Sequence, residues 1–533
     1  MALIERITGR TVAEVLEARA SEQPGRPFLI SGDQKLTYAQ VNQRVNALAA
    51  ALHELGIERG DRIAIDLPNW PEFIISMFAA ARLGAVMVPL NPRYTVPELQ
   101  YMLRHSEATA VVSAETFNDV DYLQLFEGFL MKLPDFQYLV TVGKEDLWYD
   151  DRIYQFEDLL SSGEGRDLPP LALKPAEDVF AILYTSGTTG KPKGVALTHA
   201  NVLTIAAETV EAIQLSPDDV VFGIATVFHV FGLGPGIIGT ALAGASLVLQ
   251  EQFDPEAALD LIDRHQVSVH YGVPTAYITE MRELERKRRT LSSLRAGIVA
   301  GAPIGDDAVR RIRTELCPNL CVAYSLTETS STVSMTRPHD PPEKQLFTVG
   351  RPLPGIEVRI LDLDGTVLPE ESLGEVAVRG PGVMKGYYRQ PGETAQAFDD
   401  ESYFLTGDLG MIDEDGYLHI VGRRKEMIIR GGFNVYPREV EDRIHAHPAV
   451  LDVAVVGLPH EVLGEAVCAC VLPVEGAIVT GEEIKDWCRS TLADYKIPDL
   501  VRFFDMFPLT GSGKVRRVEL ARMVSAEESS RRP

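Results

Sequence analysis

The loop at residues 184–194, Tyr-Thr-Ser-Gly-Thr-Thr-Gly-Lys-Pro-Lys-Gly, constrains this chain more than any other feature. It directly follows residues 179–183, an apolar run that predicts a buried strand. Glycines let backbone N–H groups converge on one point, and hydroxyl and ammonium groups add further donors. The loop is therefore suited to bind a polyphosphate.

The spacing of this loop differs from that of a Walker phosphate loop. A Walker loop has four residues between its first glycine and the Gly-Lys-[Ser/Thr] triplet, whereas here Thr188 and Thr189 alone separate Gly187 from Gly190. Pro192 stands where a Walker loop has Ser or Thr and a helix begins. The sequence therefore argues against a P-loop kinase or GTPase and indicates another nucleotide chemistry.

Length and composition limit the classes of protein to which this chain can belong. A chain of 533 residues exceeds what one hydrophobic core usually serves, so two or more domains are expected. Lys and Arg number 51 and Asp and Glu 76, and the net charge of −25 argues against nucleic acid or an anionic membrane as partner. Five cysteines without a Cys-x-x-Cys pair, and no secretory signal pattern in residues 1–11, favour reduced thiols in a cytoplasmic protein.

Residues 220–249 contain no Asp, Glu, Lys or Arg and would be long enough to cross a bilayer. Six glycines, Pro235 and His229 interrupt the segment, and positive flanks are missing. We therefore expect the buried wall of a cavity and no transmembrane segment.

Alternating helix and strand patterns predict an α/β fold. Thr37 and Gln40 form a capping-box pattern before a helix over 37–56, and a strand is expected at 62–67. A second helix over 71–82 ends at Gly84 and precedes a strand at 85–90. The alternation continues with strands at 108–113, 179–184 and 246–249, as in α/β sheet proteins.

The residue pattern changes after Gly422, where a charged cluster at residues 423–426 precedes a compact unit. Helices are predicted at 438–445 and 482–492, with strands at 452–457 and 466–473. About 110 residues suffice for an independent α+β domain.

The string Thr-Ser-Gly-Thr-Thr-Gly-Lys-Pro-Lys-Gly resembles the signature of the adenylate-forming superfamily, which includes acyl-CoA synthetases, 4-coumarate–CoA-ligase-like enzymes, luciferases and adenylation domains of peptide synthetases. Further motifs follow in the family's order across most of the chain: Phe-His-Val-Phe at 228–231, Gly-Ala-Pro at 301–303, Tyr-Ser-Leu-Thr-Glu at 324–328, Tyr-Phe-Leu-Thr-Gly-Asp at 403–408, the stretch 422–441, and Pro-Leu-Thr-Gly-Ser-Gly-Lys at 508–514. The resemblance is closest in type to medium- and long-chain fatty acid–CoA ligases. It implies a multi-sheet adenylation domain over 1–423 and a small mobile domain over 424–533, with the hinge at Lys425.

The family chemistry joins a carboxylate to the α-phosphate of ATP and then transfers the acyl group to coenzyme A, so ATP, Mg²⁺ and coenzyme A are expected. Bringing two anions together requires lysine, metal and backbone donors rather than a covalent nucleophile. The resemblance implies that Lys514 bridges carboxylate and α-phosphate, that Thr327 contacts the α-phosphate, and that Glu328 with Thr185 holds Mg²⁺. The nucleotide would contact further residues, namely Thr185, Ser186, Gly187, Thr188, Thr189, Gly190, Lys193, Gly301, Ala302, Pro303, Tyr324, Asp408, Arg423 and Lys425.

Within this set, Asp408 would accept hydrogen bonds from both ribose hydroxyls, with Arg423 on the hinge side. Gly301, Ala302 and Pro303 would lie against adenine, with Tyr324 stacking on its other face. In the second half-reaction the C-terminal domain rotates, and Gly431 and Gly432, on a strand that starts at Arg430, would line the pantetheine tunnel. A tight turn explains the same two glycines equally well.

The acid is expected to be an apolar monocarboxylate. Amino-acid-activating relatives have Asp after Phe, whereas this chain has Phe228 followed by His229, so no anion is available for an α-amino group. No Lys or Arg lies in 223–244 to pair with a distal carboxylate. The pocket residues would be His229, Val230, Phe231, Gly232, Tyr271, Gly272 and Ser325. A medium- or long-chain fatty acid is favoured, with an aryl or alicyclic acid second.

Several alternatives remain open. His229 would gate or pack the pocket, or it is an ordinary core histidine. Ser325 replaces the glycine common after the family's tyrosine, so the pocket dimensions are unsettled. One alternative is an enzyme that loads a carrier protein instead of coenzyme A, and another is an enzyme that uses no thiol acceptor. A luciferase-like oxygenase is disfavoured by Met427-Ile428-Ile429 after the hinge, and a non-catalytic protein by the presence of Lys514, Glu328 and Asp408. A homodimer is left open.

Overall fold

A computed structural model of the protein describes residues 3–144, 150–185, 191–223, 226–287, 289, 291–362, 364–460, 462–509 and 515–531. Its strands, in chain order, are β1 (Pro27–Ser31), β2 (Gln34–Thr37), β3 (Arg62–Asp66), β4 (Val86–Pro89), β5 (Ala108–Ala114), β6 (Thr116–Phe117), β7 (Val120–Asp121), β8 (Tyr138–Val142), β9 (Ile153–Gln155), β10 (Val179–Thr185), β11 (Lys193–Thr198), β12 (Val220–Phe222), β13 (Ser246–Leu249), β14 (Val269–Gly272), β15 (Ala296–Val299), β16 (Leu320–Leu326), β17 (Ser331–Met335), β18 (Arg351–Pro352), β19 (Glu357–Leu361), β20 (Gly374–Arg379), β21 (Gly386–Tyr387), β22 (Phe404–Ile412), β23 (Leu418–Arg423), β24 (Ile428–Arg430), β25 (Phe433–Val435), β26 (Val450–His460), β27 (Gly464–Pro473) and β28 (Leu500–Phe503).

The α-helices, in chain order, are α1 (Leu3–Ile7), α2 (Val12–Glu22), α3 (Tyr38–Glu54), α4 (Pro71–Leu83), α5 (Val96–Ser106), α6 (Tyr122–Glu127), α7 (Phe156–Gly163), α8 (His199–Ala212), α9 (Gly239–Ala243), α10 (Pro255–Arg264), α11 (Pro274–Arg286), α12 (Asp306–Glu315), α13 (Pro342–Phe347), α14 (Pro391–Gln396), α15 (Pro437–His445), α16 (Gly481–Arg489) and α17 (Arg517–Arg531). A π-helix covers Gly232–Ile238, and 3₁₀ turns cover Leu130–Lys132, Thr327–Thr329, Arg424–Glu426 and Asp494–Lys496.

Two large mixed sheets carry the N-terminal part of the described chain. One has nine strands in the order β18-β17-β16-β15-β14-β12-β13-β1-β2, and the other has eight in the order β21-β11-β10-β4-β3-β5-β8-β9. In each, parallel strands form the centre and antiparallel strands lie at an edge. The predicted α/β class is confirmed. Because β15 and β16 are neighbouring parallel strands of the nine-stranded sheet, the residues that follow them lie at one edge of that sheet, where open α/β sheets bind ligands.

Local signals in the sequence account for several helix boundaries. Thr37 caps α3, and its hydroxyl and the Gln40 side chain form the predicted capping box. Helix α4 starts at Pro71 and ends at Gly84, which adopts a φ of 67°. Glycine reaches this left-handed conformation without the Cβ clash that other residues meet.

Three buried clusters show how the layers pack. The largest contains Ile63 and Ile65 of β3 together with Tyr271 of β14 and Ile298 of β15, so it lies between the two sheets. A second cluster covers the outer face of the nine-stranded sheet, and a third covers that of the eight-stranded sheet. Helices therefore cover both outer faces and fill the space between the sheets.

The C-terminal part contains its own sheet and core. Strands β24 to β28 form a sheet in which the long hairpin of β26 and β27 pairs with β24 and β28. Separate apolar clusters cover its two faces. A four-stranded antiparallel sheet, β19-β20-β22-β23, precedes it in the chain. The division at residues 423 and 424 stays a prediction.

Two expectations from composition can be checked directly. All five cysteines are free and buried, as the prediction of reduced thiols requires. Residues 232–243, in the uncharged segment, form the π-helix and α9, which are buried. No helix in the described ranges combines the length and apolarity needed to span a membrane.

Candidate active site

The predicted phosphate loop connects two antiparallel strands. Thr185 is the last residue of β10 and pairs with Lys193, the first residue of β11. A Walker loop instead leads from a strand into a helix, so the structure agrees with its exclusion. Five predicted nucleotide contacts, at Ser186, Gly187, Thr188, Thr189 and Gly190, lie outside the described residues.

Lys193 starts a chain of contacts that ends at Glu328. Its ammonium pairs with the Glu393 carboxylate and lies 4.8 Å from the centre of the Tyr387 ring. The Tyr387 hydroxyl donates a hydrogen bond of 3.0 Å to Oε1 of Glu328. The predicted loop lysine and the predicted metal ligand therefore belong to one network.

Tyr387 and Glu393 were not identified from the sequence. Tyr387 lies on β21, which pairs with β11 so that Val195 is opposite Tyr387. The sequence separates Lys193 from Glu393 by 200 residues, and no local pattern links them. The Gly-Tyr-Tyr string at 386–388 was the available signal, although a glycine and two tyrosines have no specific chemical meaning by themselves.

The turn that follows β16 holds Thr327 and Glu328. The residues Thr327–Thr329 form a 3₁₀ turn, and the Glu328 carbonyl accepts a hydrogen bond of 2.8 Å from the N–H of Met384. Burial raises the pKa of the Glu328 carboxyl above its usual value, against the lowering effect of hydrogen bonds from its own backbone and Tyr387. An uncompensated, partly buried carboxylate at this position would gain stability from a bound cation.

A second network joins Tyr324, Asp408 and Arg423. The Tyr324 hydroxyl donates to Oδ2 of Asp408 at 2.6 Å, and Nε of Arg423 donates to Oδ1 at 3.0 Å. Asp408 and Arg423 are direct partners on β22 and β23. Burial and the Asp408 carboxylate raise the pKa of Tyr324 well above its usual value. Each carboxylate oxygen has two acceptor sites, so both can still accept a ribose hydroxyl.

The Gly-Ala-Pro motif forms a small loop at the same edge of the sheet. It follows β15, and Gly301 adopts a φ of 87° that favours glycine. Ala302 and Pro303 are exposed. A short loop with small exposed side chains allows a flat ring to approach closely, as predicted for adenine.

His229 and Phe231 stand at the start of the π-helix. Nδ1 of His229 accepts a hydrogen bond of 3.3 Å from the N–H of Phe231, and its carbonyl accepts one of 2.9 Å from Leu233. The imidazole is half-buried, while Val230, Phe231 and Gly232 are buried. This arrangement lets His229 support the wall from which Phe231 projects.

The opposite wall is the end of β14. The Tyr271 ring lies 5.7 Å from the Phe231 ring at an angle of 37°. A Cβ at Gly272 would come within 2.9 Å of a Tyr277 ring carbon, so only glycine fits there. Ser325, on β16, is half-buried. The structure thus brings together the predicted pocket residues from β14 and the π-helix.

The predicted hinge and tunnel residues follow β23 in the chain. Lys425 is exposed in the 3₁₀ turn Arg424–Glu426, whose Arg424 pairs with Glu375 at 2.7 Å. Gly431 and Gly432 were expected on a strand, with a tight turn as the alternative; the strand is wrong and the turn is correct. They form the exposed turn between β24 and β25, with φ values of 59° and 86° that the strand conformation does not allow. Lys514 lies outside the described residues.

Comparisons with known proteins agree with this geometry. Residues 16–388 match the AMP-binding enzyme family, and residues 439–514 match the AMP-binding enzyme C-terminal domain. Feruloyl-CoA synthase of Amycolatopsis sp is 34% identical over 504 residues, which cover 95% of this chain and 97% of that protein. The mitochondrial medium-chain acyl-CoA ligase ACSF2 of Homo sapiens is 32% identical over 540 residues, covering 96% and 87%.

A solved structure has the same fold over nearly the whole chain. ATP-bound MatB from Rhodopseudomonas palustris superposes with a TM-score of 0.87 at 31% identity, covering 96% of this chain and 99% of that one. The two family matches together cover most of the sequence. The match to AMP-binding enzymes agrees with the two polar networks described above. The chain belongs to the AMP-binding enzyme family and is an acyl-CoA synthetase of the adenylate-forming superfamily.

Proposed function

We propose that this enzyme activates an apolar monocarboxylic acid with ATP and transfers it to coenzyme A. In the first step a carboxylate oxygen attacks the α-phosphorus, and the bond to pyrophosphate breaks. In the second step the sulfur of coenzyme A attacks the acyl carbon, the bond to AMP breaks, and the thiol proton is released. The products are pyrophosphate, AMP and the acyl thioester.

One observation carries the proposal: the two polar networks start four residues apart on β16 and the turn after it. Tyr324 is hydrogen-bonded to Asp408, whose carboxylate suits a ribose. Glu328 is hydrogen-bonded to Tyr387, whose ring contacts Lys193, and this group of residues suits phosphates and their metal. This spacing would suit the two ends of one nucleotide. Thr327, between them, would contact the α-phosphate.

The chemistry of the Glu328 region fits a magnesium ion. The Glu328 carboxylate and the Thr185 hydroxyl are hard oxygen donors. No Lys or Arg pairs with Glu328 in the described contacts, so a cation would compensate its charge. Within the described ranges no three His, Cys, Asp or Glu side chains cluster to hold a metal. Phosphate oxygens and water would therefore complete the coordination of Mg²⁺, which would neutralise the departing pyrophosphate.

The acyl site supports an uncharged substrate body. Val230, Phe231, Leu233, Ile237 and Ile238 are at most 5% exposed and form an apolar wall. A distal carboxylate or ammonium group would be desolvated there without a partner. We favour a medium- or long-chain fatty acid. An aryl or alicyclic acid is the second candidate, favoured by the Phe231–Tyr271 ring contact, which a substrate ring could extend.

The experiment is coupled release of AMP and pyrophosphate with Mg·ATP, run with and without coenzyme A on a panel of fatty, aryl and alicyclic acids. We expect pyrophosphate from the preferred acid, and thioester with AMP when coenzyme A is added. Thioester formation with a carrier protein and not with coenzyme A would instead identify a carrier-protein loader. Absence of pyrophosphate release with every acid would contradict the proposal.

The two-step assignment has a separate test at the β24–β25 turn. Gly431→Leu places a large side chain where the pantetheine arm is expected, and thioester formation should fall while acid-dependent ATP–pyrophosphate exchange survives. Gly476→Leu is the matched control, since Gly476 also has a positive φ, of 77°, and a Cβ there meets no atom within 4 Å. Equal loss of both half-reactions in Gly431→Leu would contradict the assignment.

A further inference from the structure

One face of the nine-stranded sheet carries two of the predicted acyl-site residues, Tyr271 and Ser325. Tyr271 on β14 is the direct partner of Ile298 on β15, which is the partner of Cys321 on β16. Direct partners point to the same face of a sheet. Ser325 lies four residues beyond Cys321, on the same face, and pairs with Thr332 of β17. The face therefore extends from Ser325, next to the Thr-Glu turn, to Tyr271.

The depth of this face matches a substrate of moderate length. Four residues of strand separate the Ser325 and Cys321 rows, a distance of about 13 Å. The carboxylate of the acid would lie at the Ser325 end, near Thr327. The Tyr271 ring, in contact with Phe231, would then lie beside the distal part of the acyl group.

Two hydroxyls on this face are buried without a partner. Tyr271 is 1% exposed and Thr332 is 0% exposed, and neither hydroxyl oxygen forms a hydrogen bond within the described part of the chain. Other buried tyrosines differ. Tyr38 donates to the Ala245 carbonyl at 2.7 Å, and Tyr277 donates to the His270 carbonyl at 2.8 Å.

Unpaired hydroxyls are costly in an apolar core, because they lose their hydrogen bonds to water and gain none. Ile298 and Phe231, two residues beside Tyr271, provide no hydrogen-bonding side chain. An oxygen on the bound acid would supply the missing partner. A charged group would be desolvated without a partner against the uncharged wall formed by Val230, Phe231 and Leu233.

We propose that the acyl site selects acids that carry a neutral hydrogen-bonding oxygen, a hydroxyl or a carbonyl, on an otherwise apolar body. The Tyr271 hydroxyl is the specificity-determining group at the distal end, and the Thr332 hydroxyl contacts the part nearer the carboxylate. This inference rests on the proposed function and makes the substrate class narrower. An oxygenated aryl acid and an oxygenated fatty acid share this chemistry.

The test compares matched acids in ATP–pyrophosphate exchange. The aryl pair is 3-(4-hydroxyphenyl)propanoate against 3-phenylpropanoate, and the aliphatic pair is 8-hydroxyoctanoate against octanoate. In the wild type we expect kcat/KM to be at least about tenfold higher for the oxygenated member of one pair. Tyr271→Phe should reduce that ratio to within about threefold of one, mainly by lowering kcat/KM for the oxygenated acid. The pair that shows the effect identifies the ring or the chain as its source.

Tyr38→Phe is the matched control, because it removes a buried tyrosine hydroxyl that is paired inside the protein. It should lower the melting temperature and leave the ratio unchanged. Thr332→Val should leave the ratio of both pairs unchanged, because these acids carry no extra oxygen near the carboxylate.

Two kinds of failure are distinguishable. If no acid supports pyrophosphate exchange, the proposed function itself fails. If acids are activated but both wild-type ratios are close to one, or Tyr271→Phe leaves the ratio unchanged, the inference about Tyr271 is overturned and the synthetase assignment stands.

Discussion

The nucleotide side and the acyl side of the site differ in how their buried polar groups are satisfied. On the nucleotide side, Asp408 is bonded by Tyr324 and Arg423, and Glu328 is bonded by Tyr387. On the acyl side, the hydroxyls of Tyr271 and Thr332 have no partner within the described residues. The chain matches the AMP-binding enzyme family, so the predicted nucleotide side can be organised in advance by internal contacts. On the acyl side, the unpaired hydroxyls are the groups that the proposed substrate would complete.

The largest effect is expected at Lys514, which would stabilise charge only as the carboxylate attacks. Lys514→Ala should lower acyl-adenylate formation by about 10²- to 10³-fold, because a transition-state contact is removed. Conversion of supplied acyl-AMP to thioester should continue. Both rates are measured by pyrophosphate exchange and by thioester release.

Lys496→Ala is the control for that substitution, since Lys496 belongs to the same part of the chain and pairs with Glu439 at 2.6 Å. Adenylation within a few-fold of wild type in Lys514→Ala would show that another group fills this role.

A second prediction concerns the metal. Glu328→Gln keeps the size and one acceptor oxygen but removes the charge, so kcat/KM for Mg·ATP should fall by about 100-fold. Raising Mg²⁺ should recover part of the loss, which titration of the rate against free Mg²⁺ would detect. Glu357→Gln, at a carboxylate bonded to Tyr403 at 2.7 Å, is the matched control. No dependence of the defect on Mg²⁺ would contradict a metal role for Glu328.

A third prediction concerns the hydrogen bond between Tyr387 and Glu328, which belongs to the predicted nucleotide side. Tyr387→Phe removes the hydrogen bond that orients the carboxylate, and kcat/KM for ATP should fall by roughly 10-fold. The preference among acids should not change, because the Tyr387 side chain contacts Glu328 and Lys193 of the predicted nucleotide side. Tyr403→Phe removes a comparable hydroxyl–carboxylate bond elsewhere and should leave both quantities unchanged. A shift in acid preference in Tyr387→Phe would show that the two sides are coupled.

The smallest effect on activity is expected at Asp66, an unpaired carboxyl far from both networks in sequence. It ends β3, is 1% exposed, and neither of its oxygens has a hydrogen-bond partner within the described chain. Burial raises the pKa of Asp66 to about 7. The native carboxyl therefore holds its proton in a range where the unfolded one has lost it, so the free energy of unfolding should decrease from about pH 4 to pH 7 and then level off.

Asp66→Asn should remove this dependence. The melting temperature of Asp66→Asn relative to wild type should rise from pH 5 to pH 8. The corresponding change in the free energy of unfolding relative to wild type is roughly 2 to 4 kcal/mol. Thermal unfolding of both proteins across this range checks the prediction, and taking the difference cancels titration at other sites. A constant difference in melting temperature would mean that Asp66 has an ordinary pKa.

Local rules were sufficient where one turn of chain decides the conformation. The capping box of Thr37 and Gln40 and the stop at Gly84 appear as predicted, because their partners lie within four residues. The strand expected at Gly431 and Gly432 was wrong, although the conformation of these two residues is also decided locally. Two consecutive positive φ values make a hairpin turn, which two adjacent glycines adopt without strain.

Long-range partners could not be predicted. Glu393 pairs with Lys193 across 200 residues, and Tyr387 reaches Glu328 only because β21 adds to the edge of β11. Nothing in the local pattern of either region encodes this pairing. The unpaired state of Tyr271 is likewise invisible in sequence, since it depends on the neighbours that β15, β16 and the π-helix place around it.

The sequence by itself determined the α/β class, the family, the motif residues and the absence of a charged group from the wall at 220–249. These follow from periodicity, residue type and spacing, which the chain carries without folding. Only the tertiary structure decided which carboxylates are paired and which hydroxyls are left without a partner. The reason is physical: hydrogen bonds and burial depend on distances between strands that are remote in sequence, and those distances exist only once the sheets have packed.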